Sequence, residues 1–161
     1  MKSLTHVNTE GKAEMVDVST KGETLRTAIA YGEIRISNDI YNAIKNNEIK
    51  KGDVLTLAKI AGIMGAKKTS ELIPLCHNIF ISKLDVELKL EKDKITANSF
   101  ASTIGPTGIE MEALSAVSIA LLTIYDMCKA IAKDMLITNI QLIEKTGGKS
   151  GNYYKDLNNE N

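Results

Sequence analysis

The residues of this chain best suited to chemistry are a few acids and bases set among apolar neighbours. Asp126 and Lys129 stand three apart in Tyr125-Asp126-Met127-Cys128-Lys129-Ala130, a spacing at which two side chains on one helix meet. On an open surface such a pair contributes about 0.5 kcal/mol or less. Shielded from water, the carboxylate and ammonium hold each other charged until a substrate competes for the lysine, which makes an acid–base unit. Glu110 and Glu112 open the same segment. His77 follows Pro74 and Cys76 in a loop. An unperturbed imidazole, with a pKa of about 6.5, suits proton transfer near neutrality. A loop histidine is nevertheless more often a plain surface residue, so His77 gains weight only in company.

Two segments have the chemistry of anion sites. Lys51-Gly52-Asp53 precedes a helix start, and a helix N-terminus beside a lysine attracts anions; a solvated lysine before a capped helix is the commoner case. Lys145-Thr146-Gly147-Gly148-Lys149-Ser150-Gly151 resembles a phosphate loop without matching a Walker A motif, because Ile143 stands where the first glycine would be. Its backbone amides and two lysines can cradle phosphate. A flexible C-terminal linker is an equally good reading of the same residues.

The element that must position the acids is a helix expected over Thr107–Asp134. Thr107 and Glu110 have capping-box spacing, and no Pro or Gly interrupts residues 109–134. At about 100° per residue, Glu112, Ser115, Ser118, Thr123, Asp126, Lys129, Lys133 and Asp134 share one face. Ala113, Leu114, Val117, Leu121, Ile124, Cys128 and Ile131 face the other way, toward a core. Met111, Ile119 and Leu122 interrupt the polar stripe, which favours a cleft wall or subunit interface over a wet surface. Glu112 and Asp126 lie about 21 Å apart along such a helix, at roughly 1.5 Å per residue. One helix cannot bring both to one small reacting group.

The rest of the pattern is α+β. Leu84, Val86, Leu88 and Leu90 alternate with Asp85, Glu87, Lys89 and Glu91, as in a strand with one wet face. Lys92-Asp93-Lys94 turns into a partner strand from Ile95 to Ser102. Val16–Val18 can begin a strand, and the ambiguous stretch 24–36 is read as a strand ending near Ser37. Ser37 caps a helix to Asn47, Asp53 a second to about Lys68, and Thr69 a short helical turn limited by Pro74. Thr138–Glu144 is a last strand. Strand, helices, hairpin, long helix and strand imply an antiparallel sheet with helices packed on one face. Residues 1–161 read as a single domain, with a mobile arm over about 1–15 and a flexible tail over about 146–161.

Composition narrows the function classes. The 161 residues are 43% hydrophobic and 25% charged, enough for a core. Twenty basic and twenty acidic side chains cancel, and aromatics make up only 4%, which argues against a nucleic-acid footprint. Cys76 and Cys128 form neither a disulfide framework nor a metal set, and no signal peptide or charge-free apolar run long enough for a bilayer is evident. A reducing cytoplasm and no membrane partner are the expectations, and no resident metal or cofactor is called for.

Several motifs in order carry a resemblance. Leu4-Thr5-His6-Val7, Met15-Val16-Asp17-Val18, Lys51-Gly52-Asp53-Val54, Leu72-Ile73-Pro74-Leu75-Cys76-His77, residues 107–114 (TGIEMEAL), residues 125–130 (YDMCKA) and Gly147-Gly148-Lys149-Ser150-Gly151 together resemble the molybdenum cofactor biosynthesis protein C family. The resemblance implies a ferredoxin-like subunit in dimers within a hexamer, a trimer of dimers with sites at the dimer interface. It implies cyclic pyranopterin monophosphate synthase activity: rearrangement of a 3′,8-cyclised dihydroguanosine triphosphate to a pterin tricycle, closure of a cyclic phosphate and release of diphosphate. By the chemistry of a triphosphate, magnesium can accompany the substrate. Carried over by motif, Asp126 is the catalytic acid, and Lys51, Lys129 and Lys145 are acid–base and phosphate lysines. Leu75, Cys76, His77, Glu110, Met111, Glu112 and Lys149 are the substrate contacts. One departure stands out: Gly105-Pro106-Thr107-Gly108 occupies the place of an expected Gly-Lys-Thr-Gly. A non-catalytic, oligomeric nucleotide- or phosphate-binding module is the competing reading.

Overall fold

A computed structural model describes residues 10–156. In chain order these form β1 (Thr24–Arg35), α1 (Asn38–Lys45), α2 (Val54–Ala66), α3 (Thr69–Leu72), β2 (Lys83–Leu90), β3 (Lys94–Gly105), α4 (Glu110–Cys128), β4 (Leu136–Thr146) and β5 (Tyr153–Tyr154). The strands make one antiparallel sheet in the order β2-β3-β1-β4-β5. Its first four strands, with α1–α3 between β1 and β2 and α4 between β3 and β4, have the split βαβ connectivity of the ferredoxin-like arrangement.

Alternation builds the sheet. Ala28, Ala30 and Ile34 on β1, Ile95, Ala97 and Ala101 on β3, and Val86 on β2 point inward and are fully buried. β1 and β3 pair along their whole length, from Thr24 opposite Gly105 to Arg35 opposite Lys94. On β4 the ladder to β1 slips near Asn139, whose φ of 57° lies in the left-handed region. There Glu33, 5% exposed, accepts hydrogen bonds from Tyr31, Lys94 and Asn139. Those three donors outweigh burial and hold its carboxyl below the usual range.

The caps expected for α1 and α2 are present. Ser37 Oγ accepts from Ile40 N, and Asp53 accepts from Thr56 N at 3.1 Å. α4 then crosses the sheet with Ala113, Ala116, Val117, Ala120, Leu121 and Ile124 buried. Small residues let α2 lie directly on it. A Cβ at Gly62 would stand 2.7 Å from Ala116 O, and one at Gly65 2.6 Å from Ile119 Cγ1.

Several details differ from the expectation. The long helix is 19 residues, beginning at Glu110 and ending at Cys128. Its capping box does not form, because Glu110 turns to Lys145 instead. Ile131 follows the helix and is 43% exposed. Val16–Val18 joins no strand. Thr69 does not cap α3, since its hydroxyl donates to Ala66 O. By length and hydropathy alone α4 is long and apolar enough to cross a bilayer, as a buried core helix also is; here half of it is buried, packed on α2 and the sheet. Past the glycine turn, β5 pairs Tyr153 and Tyr154 with Lys145 and Glu144. The first nine residues of the expected arm, and residues 157–161 of the tail, lie outside the described residues.

Candidate functional site

The site residues fall into two groups at opposite ends of α4. At the C-terminal end, Asp126 holds two lysines. Its Oδ2 is 2.7 Å from Lys51 Nζ, its Oδ1 is 2.7 Å from Lys129 Nζ, and its main-chain carbonyl accepts from Lys51 at 2.8 Å. Lys129 reaches Asp126 as the i,i+3 spacing requires. Lys51 comes from 75 residues away and is placed by the turn at Gly52, whose φ of 106° favours glycine, and by the Asp53 cap that starts α2. Lys129 and Lys51, in that order, depress the Asp126 carboxyl to about 2, and Asp126 in turn raises Lys129. The three side chains are about half exposed (49–56%). Asp126 is therefore a standing carboxylate at neutral pH, held between the two lysines.

At the N-terminal end the glutamates meet the cysteine–histidine loop. A cavity of about 260 Å³ is lined by Leu75, Cys76, His77, Glu110, Met111 and Glu112, with Val16, Val18, Lys21 and Thr107–Gly108 completing its wall. Glu112, placed on a polar stripe by helical spacing, is only 4% exposed. Burial, helped by the charge of Glu110, pushes its carboxyl up to about 7 against the pull of a backbone hydrogen bond. Burial, and then Glu112, raise the Cys76 thiol, which makes it a poor thiolate. His77 Nε2 lies 2.7 Å from Val16 O.

A second cavity, about 610 Å³, shares Lys21, Thr107, Gly108 and Glu110 with the first. Arg26, Lys145, Lys149 and Ser150 face it as well. Lys145 pairs with Glu110 at 3.3 Å and donates to Ser150 Oγ at 2.7 Å. It therefore belongs to this end of the molecule, apart from Lys51 and Lys129. Gly147 and Gly148 take φ values of 85° and 81°, and a Cβ on Gly148 would collide with the Arg26 guanidinium. Arg26 donates to the carbonyls of Gly105 and Pro106, each at 3.0 Å, so the loop that lacks the expected lysine is clamped by an arginine. Four cations against one carboxylate suit a polyanion.

Sequence reasoning missed Arg26 and Lys21. An arginine on an inward-facing strand of alanines and threonines, opposite a glycine-rich turn, was the available signal for the first; nothing local marked the second. No group of three or more His, Cys, Asp or Glu among the described residues is placed to hold a metal ion.

The model of the MoaC family matches residues 15–148. Relatives named cyclic pyranopterin monophosphate synthase include one from Peptoclostridium acidaminophilum, 55% identical over 95% of this chain and 98% of that protein. Another, from Thermoanaerobacter pseudethanolicus, is 53% identical over 96% and 99%. One from Geobacillus kaustophilus is 47% identical over 95% and 97%.

Proposed function

The chain belongs to the MoaC family, and from that membership we propose that it is a cyclic pyranopterin monophosphate synthase, a lyase of molybdenum cofactor biosynthesis. Near-full-length identity of about one half to relatives of that one name carries the reading. The substrate is a nucleotide triphosphate, the 3′,8-cyclised dihydroguanosine triphosphate, and the products are the cyclic monophosphate and diphosphate.

The geometry suits the two halves of this chemistry. Closing a cyclic phosphate requires a sugar hydroxyl to lose its proton, its oxygen to approach the innermost phosphorus in line, and the departing diphosphate to be neutralised. Lys21, Arg26, Lys145 and Lys149 supply charge for the triphosphate. Glu112, poised near neutrality, can donate or accept a hydrogen bond beside Leu75, Cys76, His77 and Met111, where a heterocycle would sit. Lys51 and Lys129 are the proton-transfer groups, and Asp126 keeps both charged and in place until substrate displaces one of them. In this reading Asp126 orients the lysines and is not itself the acid. Magnesium can accompany the triphosphate as its counterion, and the reading calls for no resident cofactor.

Both groups are required, yet α4 holds them about 21 Å apart at roughly 1.5 Å per residue. A complete site therefore takes Lys51, Asp126 and Lys129 from one subunit and the Glu112 end from its neighbour. Exposed apolar residues on the same helical layer support association: Leu57, Ile60 and Met64 of α2 and Leu122 of α4 are 42–58% exposed. The assembly is a hexamer built as a trimer of dimers, working in the cytoplasm.

Incubation of the purified protein with the cyclised triphosphate tests the reading. Diphosphate and an oxidisable, fluorescent pterin should appear together. Tight binding of the triphosphate by folded protein, with neither product formed, would instead establish a non-catalytic nucleotide-binding module.

A further inference from the structure

Residues 14–18 enter neither a helix nor a strand, and they contribute Val16 and Val18 to the wall of the 260 Å³ cavity. Val16 and Val18 are half-buried and turn into it, whereas Asp17 stays outside and accepts from Ser19 N at 2.8 Å. Lys21 N donates to Val18 O at 3.0 Å. The resulting turn carries Lys21 to the wall common to both cavities. Across the cavity, His77 Nε2 meets Val16 O at 2.7 Å. A carbonyl oxygen can only accept, so Nε2 is the protonated nitrogen and the donor.

From these contacts we propose that residues 16–21 are a strap over the Glu112 cavity, latched by His77, and that His77 serves the reaction by holding Lys21 at the boundary of the two cavities. His77 is then a positioning residue, and Lys21 is the anion contact it positions. The inference rests on the two cavities being the substrate site. A segment without ladder hydrogen bonds lies at the low-stability end of a structure and opens locally. The hydrogen bond from His77 to Val16 O therefore biases how often the strap is closed. The strap is also the feature that makes the buried environment of Glu112 conditional, because Val16 and Val18 complete the wall around that carboxyl.

Limited trypsinolysis of the free, full-length protein tests the latch, since Lys12 and Lys21 offer cleavage points before and at the end of the strap. H77F keeps ring bulk without a donor, H77A removes both, and H77Q places an amide nitrogen near the position of Nε2. Cleavage after Lys12 and Lys21 should quicken about tenfold in H77F and H77A, the change expected for losing one hydrogen bond. H77Q should stay close to wild type. Inorganic triphosphate should protect Lys21 in wild type and H77Q more than in H77F. In turnover, H77F and H77A should raise KM more than they lower kcat, with H77Q restoring KM. Equal strap cleavage in wild type, H77F and H77A overturns the latch, and a raised KM alongside it would mean that His77 touches substrate directly. Faster cleavage at every site together with a lowered Tm also overturns it, by making His77 a residue of the general fold. Absence of turnover in wild type would defeat the functional reading alone, because the cleavage comparison uses free protein.

Discussion

Replacing Glu112 by glutamine should flatten one part of the pH dependence of stability. In the folded chain the Glu112 carboxyl titrates at about 7, against an ordinary value of 4.5, chiefly because it is buried. The folded state therefore binds its proton more tightly than the unfolded chain does. The resulting stabilisation is fully present below pH 4.5 and is lost as pH rises through 7. That interval, at about 1.4 kcal/mol per unit, amounts to about 3.5 kcal/mol, of which about 3 kcal/mol is lost above pH 5. Glutamine is neutral throughout, so E112Q lacks this loss. Thermal unfolding of both proteins from pH 5 to 8.5 should show E112Q gaining on wild type by about 6–12 °C, at roughly 2–4 °C per kcal/mol for a chain of this size. The difference should develop mostly between pH 5 and 7.5. Parallel curves would mean that Glu112 is solvated or paired with a cation, and would refute the reasoning.

Two further perturbations separate site from scaffold. K51A and D126A should abolish diphosphate release while leaving Tm and oligomeric state almost unchanged, because these side chains are half exposed; near-wild-type rates in both would remove them from the mechanism. G62A should destabilise by about 1–3 kcal/mol through overpacking, despite the helix preference for alanine, because the new Cβ would stand 2.7 Å from the Ala116 carbonyl. G22A, with nothing within 4 Å of its Cβ, is the control, and equal urea midpoints for the two would contradict the packing argument.

What could be read from the chain in advance was what depends on neighbours in sequence. Leucine and valine alternation located β2, the hydroxyl of Ser37 and the carboxylate of Asp53 located two helix starts, and the i,i+3 spacing paired Asp126 with Lys129. Contacts made over long separations escaped. Lys51 reaches Asp126 across 75 residues, and Arg26 reaches Gly105 and Pro106 across 79 and 80. Glu110 had a local partner in prospect, Thr107, and took Lys145 from β4 instead. Helical spacing assigned Glu112 to a polar stripe, but it is buried and shares a cavity wall with Leu75–His77 and with Val16 and Val18, none of which leaves a periodic trace beside it. Lys145 grouped with Lys51 and Lys129 by chemistry, and the topology separates them.

The separation along α4 also gives the most direct test of a site shared between subunits. D126A and E112A inactivate opposite ends of that helix, and each should be inactive alone. Mixed, dissociated and reassembled in equal amounts, half of the dimers should be hybrids with one intact site of two. Diphosphate release should then recover to about one quarter of the wild-type rate, the value a two-fold interface dictates. No recovery after subunit exchange has been demonstrated by mass would contradict the shared site and require both ends of α4 to act within one chain.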